Sequence, residues 1–169
     1  MEVVVALLAL LTLANIGLTV AVIKRLAAHE RKLSEFTVWT PPAGLSPGEP
    51  VPGFLAETDT GQRIDESFLA EGQTGVAFFS ATCDACALHA PEFAAVPGPK
   101  LAVLTGEGPT GATILAALAD VPVVREANVG GPIAQSFRVD TFPTYFAVEH
   151  GHVMAAVGST DELGDLLTR

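Results

Sequence analysis

The chain has 169 residues, of which 49% are hydrophobic and 17% charged, and its formal net charge is −10. This length suits one domain with an appendage, and the apolar content is too high for intrinsic disorder. The acidic balance argues against nucleic-acid binding, since phosphates repel a negative surface. Two cysteines are too few for a disulfide-dense scaffold.

The N-terminal segment is apolar. Val3–Ile23 contains no charged residue, and a helix of this length extends about 31 Å, which matches a hydrocarbon core of roughly 30 Å. Residues 1–23 are therefore predicted to form a single transmembrane anchor. Two alternatives remain, a cleaved signal peptide and a buried helix of a soluble core. A signal peptide has basic residues before its apolar run, whereas here Lys24 and Arg25 follow that run.

Residues 24–49 are predicted to be a juxtamembrane helix followed by a proline-rich linker. Thr40–Pro52 holds five prolines and two glycines, a composition typical of a stiff, extended connection. Four basic residues lie between positions 24 and 32. By the positive-inside rule alone, they would place the following domain in the cytoplasm.

From residue 50 to residue 169 the sequence predicts one α/β domain. Short apolar runs alternate with helical patterns, and a terminal hairpin and helix follow, which indicates three α/β/α layers around a mixed sheet. The predicted strands are 75–80, 101–105, 121–125, 144–149 and 152–157, and the predicted helices are 83–96, 110–119, 133–137 and 159–169.

The two cysteines form a C-x-x-C motif, Cys83 and Cys86, between a buried strand and a helix. Cys83 is expected at the helix N-terminus, where free N–H groups and the helix dipole favour a thiolate. Cys86 lies at i+3 on the same helix face and can resolve a mixed disulfide. This arrangement predicts thiol–disulfide exchange, with Cys83 attacking and Cys86 resolving.

Other chemistry for this motif stays open. Zinc would need two further ligands at suitable spacing, and no second C-x-x-C exists. A non-enzymatic metallochaperone could hold copper on both thiolates and a histidine, since soft ligands suit Cu(I). A peroxiredoxin-like peroxidase would need a proline where Val76 stands. Gly106–Gly111 matches a dinucleotide fingerprint, but the domain is too short for two nucleotide-binding halves, and a glycine-rich turn suffices.

The motif and its flanks resemble membrane-anchored thiol–disulfide oxidoreductases of the thioredoxin fold, of the TlpA/ResA type. The matching segments are Pro50–Phe54, Asp59–Gly61, Gly75–Phe93 with Pro91, and Phe137–Thr144. The stem Ser80-Ala81-Thr82-Cys83 and the His29-Glu30-Arg31 stalk are most similar to the MauD branch, which assists maturation of a periplasmic methylamine dehydrogenase.

The resemblance implies further site residues. Pro143, after Phe142, is expected to be a cis-proline facing the cysteines, where Phe142, Pro143 and Thr82 would bind a client peptide as a short strand. His89 replaces a glutamate of ResA-like relatives. It lies i+3 from Cys86 and is predicted to accept the proton of that thiol.

The expected partners are cysteine-containing protein substrates, the membrane through the N-terminal helix, and a membrane electron carrier. No nucleic acid, metal or organic cofactor is expected, because the redox-active disulfide Cys83–Cys86 carries the electrons. The resemblance places the domain outside the cytoplasmic membrane, against the flanking charge, and long domains translocate largely regardless of such charge.

Overall fold

A computed structural model describes residues 44–168, together with Met1, Val5, Thr12 and Asn15. The predicted juxtamembrane helix, and the anchor except for four residues, lie outside the described residues. Among those that are described, no helix is both long and apolar enough to cross a membrane. The chain divides into two units, Met1–Trp39 and Thr40–Arg169, and the second contains the elements that follow.

Seven strands, four α-helices and one 3-10 helix are described in the second unit. In chain order they are β1 (Leu55–Glu57), β2 (Arg63–Asp65), the 3-10 helix (Glu66–Leu69), β3 (Gln73–Ser80), α1 (Asp84–Ala95), β4 (Lys100–Thr105), α2 (Gly111–Ala117), β5 (Val123–Glu126), α3 (Pro132–Phe137), β6 (Thr144–Glu149), β7 (His152–Val157) and α4 (Thr160–Leu167).

The main sheet has five strands in the order β5-β4-β3-β6-β7. β3, β4 and β5 run parallel, whereas β6 and β7 are antiparallel to their neighbours. The predicted mixed sheet is therefore confirmed. β5 begins at Val123 rather than at Val121, and Pro122, which has no N–H to donate, precedes the strand.

Apolar side chains alternate across the two central strands and fill both faces of the sheet. On one face, Phe78 of β3 and Phe146 of β6 pack with Phe137 of α3, with ring centroids 5.0–5.8 Å apart. We call these three residues the apolar trio. The β1–β2 hairpin and the 3-10 helix cover the same face through Ile64 and Leu69.

On the opposite face, Phe79 of β3 and Tyr145 of β6 pack with Phe93 of α1, with centroids 5.9–6.2 Å apart. We call these three residues the site trio. Helices α2 and α4 complete this layer through Ile114 and Leu163, both fully buried. The sheet thus lies between helices on both faces.

A segment N-terminal to the predicted domain boundary packs on the fold. Leu45 is buried, and its N–H donates to the Phe137 carbonyl at 3.1 Å. The Gly48 N–H donates to Val153 O at 2.7 Å, and the Val153 N–H donates to Glu49 O at 3.0 Å. Residues 45–50, the edge segment, therefore pack against the end of α3 and along β7, and the folded unit extends upstream of residue 50.

Candidate active site

Cys83 begins the helix that follows the central strand. β3 ends at Ser80, and the Cys83 N–H donates to the Ser80 carbonyl at 3.1 Å, which closes the turn into α1. Cys83 is the N-cap residue, and its Sγ accepts the Cys86 N–H at 3.1 Å. A negative sulfur at this position is stabilised by that N–H and by the positive end of the helix dipole.

Cys86 lies one turn further along α1 and is fully buried. Its Sγ accepts the Ser80 N–H at 3.5 Å. Burial, reinforced by the hydrogen bond with Cys83, raises the pKa of the Cys86 thiol to about 12. Both cysteines are free thiols in this structure. The site therefore pairs a half-buried thiol with a shielded one, as sequential attack and resolution require.

The glycine-rich turn after β4 supports the stem that carries Cys83. The Thr110 hydroxyl and the Thr110 N–H both donate to the Ala81 carbonyl, at 2.6 and 3.1 Å. At Gly108 a Cβ would collide with that same carbonyl. This turn is thus required for close backbone packing, a role that spacing alone did not reveal.

The loop before β6 brings the predicted client-binding residues beside Cys83. The Phe142–Pro143 peptide bond is cis, as expected, and both residues are half-buried. The Cys83 thiol donates to the Phe142 carbonyl at 3.9 Å. Thr82, which precedes Cys83 in the chain, is exposed, with its hydroxyl 3.1 Å from that of Ser80. Backbone and side-chain polar groups therefore flank the accessible sulfur.

His89 is directed to a different neighbour from the one predicted. Its Nδ1 lies 2.7 Å from Glu92 Oε2, and both side chains are about half exposed. The hydrogen bond from His89 lowers the pKa of Glu92, and the Thr160 hydroxyl adds a second bond at 3.4 Å. No hydrogen bond joins His89 to either cysteine among the described residues, so the predicted proton transfer has no direct contact here.

Tyr145 is a site residue that the sequence did not indicate. It is 1% exposed, and its hydroxyl has no hydrogen-bond partner among the described residues. Burial raises its pKa, and nearby negative charge at Cys86, Glu92 and Cys83 adds to the effect. The only signal in the sequence was a hydroxyl-bearing ring within an apolar strand, which normally indicates core packing.

The copper-binding alternative would need a third ligand beside the two thiols. Within the described part of the chain, no group of three or more histidine, cysteine or acidic side chains is placed to hold a metal ion. Among the described residues, therefore, no third side chain of these kinds accompanies Cys83 and Cys86.

Several solved structures of similar architecture are named as thiol–disulfide proteins. The thioredoxin domain of a thiol–disulfide oxidoreductase from Bacteroides vulgatus matches with a TM-score of 0.58 and 17% identity, covering 73% of this chain and 96% of that one. A thiol:disulfide interchange protein from a Bacteroides species matches with a TM-score of 0.53 and 18% identity, over 72% and 88% of the two chains.

A secreted disulfide oxidoreductase from Mycobacterium tuberculosis, described as homologous to DsbE of E. coli, matches with a TM-score of 0.52 and 19% identity, over 68% and 94% of the chains. No family model and no curated protein matches the sequence. The structural matches confirm the predicted thioredoxin-like α/β fold with its mixed sheet.

Proposed function

We propose that this chain catalyses thiol–disulfide exchange on protein substrates through Cys83 and Cys86. The observation that carries the proposal is the 3.1 Å hydrogen bond from the Cys86 N–H to Cys83 Sγ at the start of α1, with the second thiol buried directly behind. A half-buried sulfur stabilised by a helix N-terminus, with a partner one turn away, suits nucleophilic attack on a disulfide.

The exchange uses the two thiols in order. The Cys83 thiolate attacks a client disulfide, so that a Cys83–client bond forms and one client sulfur leaves as a thiolate. Deprotonated Cys86 then attacks Cys83 Sγ, which closes the Cys83–Cys86 disulfide and releases the second client sulfur. The client gains two electrons and the cysteine pair loses two; the reverse order oxidises a client. No organic cofactor is required for either direction.

Phe142, Pro143 and Thr82 are proposed to hold the client during this attack. The Phe142 carbonyl lies 3.9 Å from Cys83 Sγ, close enough for a bound extended peptide to bring its own sulfur to the same place. Main-chain hydrogen bonds give such a site affinity without demanding one client sequence.

We further propose that the N-terminal segment tethers the domain to the membrane. The basis is the uncharged run Val3–Ile23 and the resemblance to TlpA/ResA-type proteins. The domain is proposed to act outside the cytoplasmic membrane, where disulfides persist. Its role there would be to assist maturation of extracytoplasmic proteins, as in the MauD branch, with electrons exchanged through a membrane partner.

The first test is the reduction potential of the cysteine pair, measured on the full chain in detergent by equilibration with dithiol buffers. A potential near −270 mV, the value roughly typical of thioredoxin, would identify a reductase. One between about −120 and −180 mV would identify an oxidant or isomerase. Failure to form any Cys83–Cys86 disulfide would overturn the proposal and restore the copper hypothesis.

A trapping experiment tests the assigned order of attack. Cys86→Ser should accumulate a mixed disulfide between Cys83 and a client, because the resolving thiol is absent. Cys83→Ser is the matched control and should trap nothing. Equal trapping by both variants would contradict the assignment of Cys83 as the attacking residue.

A further inference from the structure

A buried carboxyl group that the exchange chemistry does not use lies at the end of β5. Glu126 is 5% exposed, and it is the last residue of that strand. In the strand register it pairs with Thr105 of β4, which in turn pairs with Ser80 of β3. Glu126 is therefore two strands, or about 10 Å, from the residue that begins the stem of Cys83.

Both side-chain oxygens of Glu126 hold the first turn of α3. Oε1 accepts the Ile133 N–H at 2.7 Å, and Oε2 accepts the Ala134 N–H at 3.1 Å. At Gly131, which precedes the helix, a Cβ would lie 2.3 Å from the Glu126 carboxyl carbon, so only a glycine admits the carboxyl group there. Two N–H donors, one to each oxygen, suit the ionised form of this buried group.

The main chain of Glu126 holds a second loop, the glycine-rich turn after β4. Its carbonyl accepts the Gly106 N–H at 2.8 Å. That turn reaches the stem through Thr110, whose hydroxyl and N–H both donate to the Ala81 carbonyl. One residue of β5 is therefore connected, through a single turn, to the main chain that leads into Cys83.

Helix α3 connects Glu126 to the client-binding loop. Ala134, whose N–H donates to Glu126, also accepts the Val139 N–H at 3.0 Å through its carbonyl. Val139 is buried three residues before Phe142, and Phe142 packs against the apolar cluster that contains Val139. A shift at the start of α3 would therefore move the loop whose Phe142 carbonyl lies 3.9 Å from Cys83 Sγ.

We propose that Glu126 is a positioning residue for client binding. Its carboxylate holds α3 and its carbonyl holds the glycine-rich turn, so that the client-binding loop and the stem of Cys83 keep a fixed spacing. The inference rests on the proposed exchange activity and deepens it, because it names what sets the affinity for an extended client peptide. Such a peptide needs the Phe142 carbonyl at the right distance from the attacking sulfur, whereas a small disulfide without peptide groups does not.

The test compares two disulfides in single-turnover reactions of the reduced full chain in detergent. One consists of two extended peptides joined by a central cystine and carrying a fluorophore and a quencher, so that reduction raises the fluorescence. The other is 5,5′-dithiobis(2-nitrobenzoate), which has no peptide groups. Glu126→Gln keeps the size of the side chain but turns one acceptor oxygen into a donor, so one of the two bonds to α3 is lost.

The peptide concentration that gives half of the maximal rate should rise about tenfold in Glu126→Gln, the scale of one lost hydrogen bond to a charged group. The maximal rate and the rate with the small disulfide should change by less than about twofold, because binding rather than chemistry is impaired. Glu57→Gln is the matched control: it removes an acidic charge from an exposed residue that lines, with Glu126, a cavity of about 450 Å³. It should leave all three values unchanged.

The outcomes separate the two proposals. If the parent chain reduces neither disulfide, the exchange activity and the positioning role both fall. If the parent chain reduces both, an unchanged half-saturating concentration in Glu126→Gln overturns the positioning role alone. Equal slowing with both disulfides and no such shift, as poorer folding would give, also overturns it. So does a parent chain whose rate the peptide never saturates.

Amide hydrogen exchange gives a measurement that does not depend on the folding of the glutamine variant. In Cys86→Ser joined to the same peptide through Cys83, the peptide lies beside the Phe142 loop in every molecule. Coupling between two sites is reciprocal, so the Ile133 and Ala134 amides should exchange about tenfold more slowly than in the free Cys86→Ser chain. Unchanged exchange at both amides would overturn the positioning role.

Discussion

The two aromatic trios lie on opposite faces of the same two strands, and they differ in ring spacing and in polarity. The apolar trio is hydrocarbon throughout, with ring centroids 5.0–5.8 Å apart. The site trio is wider, at 5.9–6.2 Å, and includes a hydroxyl that has no hydrogen-bond partner among the described residues. A buried thiol lies in the same cluster as the second trio. One face of the sheet thus supplies stability, while the other combines packing with groups that can react.

This contrast is sharpest at the cysteines of the site face. Iodoacetamide at pH 8 should alkylate Cys83 readily and leave Cys86 unmodified in the folded protein. With its pKa raised to about 12, only about one Cys86 in 10⁴ is a thiolate at that pH, and the side chain is also buried. Mass spectrometry of peptides after alkylation measures the ratio.

The control for this experiment is alkylation in denaturant, where burial is lost and both cysteines should react. The direction of the pH dependence follows from the raised pKa of Cys86. Because Cys86 binds its proton more tightly in the folded state, its rate of alkylation should increase as the pH rises toward 12. Comparable labelling of both cysteines in the folded chain at pH 8 would contradict the asymmetry.

Truncating a side chain of the apolar trio should lower the stability of the fold without changing the rate of thiol–disulfide exchange. Phe78 is fully buried and contacts both other rings of its trio. Phe78→Ala should lower the free energy of unfolding by about 3–5 kcal/mol, from lost burial and an unfilled cavity. Denaturant titration measures the change. Leu55, 67% exposed, gives the control, because Leu55→Ala should change it by less than about 0.5 kcal/mol.

If Phe78→Ala changed the rate at which the folded protein exchanges thiols with a disulfide reagent, the contrast between the two faces would be contradicted. The contrast would also be contradicted if Phe78→Ala lowered the free energy of unfolding no more than Leu55→Ala does. Either finding would mean that the two faces are not separable in the way their packing indicates.

The smallest effect is expected at His89. A direct general base contributes roughly 10²–10⁴-fold to a rate, but His89 contacts Glu92 rather than Cys86, so His89→Gln should slow exchange by less than about tenfold. The Glu92 pKa, now lowered by His89, should rise toward its ordinary value. Carboxyl NMR titration measures that pKa.

The sign of the accompanying stability change is fixed by the lowered pKa. Ionised Glu92 favours the folded state above pH 4.5, and this contribution is lost as the pH falls through the folded-state pKa. His89→Gln should reduce that contribution. An unchanged Glu92 pKa would show that the hydrogen bond does not persist in solution, and a loss of exchange of a hundredfold or more would restore His89 as the direct proton acceptor.

Local patterns were sufficient to predict most of the fold. β6 and β7 have the predicted ends, since the hairpin residues His150 and Gly151 both adopt positive φ between two apolar runs. The predicted helix over 159–169 is observed as α4, and Ser159 caps it by accepting the Glu162 N–H, as serine commonly does at a helix start. Strand periodicity and capping are local, so they can be read from a few neighbouring residues.

Relations between distant elements could not be predicted in this way. The edge segment resembles a linker in composition, yet Leu45 is buried against residues almost a hundred positions later. Tyr145 and Glu92 come from β6 and α1, and they line one cavity, of about 340 Å³, together with residues at the start of α4. The predicted role of His89 followed from i+3 spacing, which does not determine the direction of an exposed side chain.

The two outer strands of the sheet also determine how copies of this chain can meet. At β7, the main-chain N–H and carbonyl of Val153 are hydrogen-bonded to Glu49 and Gly48. At β5, the Asp59 N–H donates to the Val123 carbonyl at 2.8 Å. Paired edges resist the strand-to-strand aggregation that open sheet edges invite. These contacts would therefore limit strand-to-strand pairing between two copies of the domain.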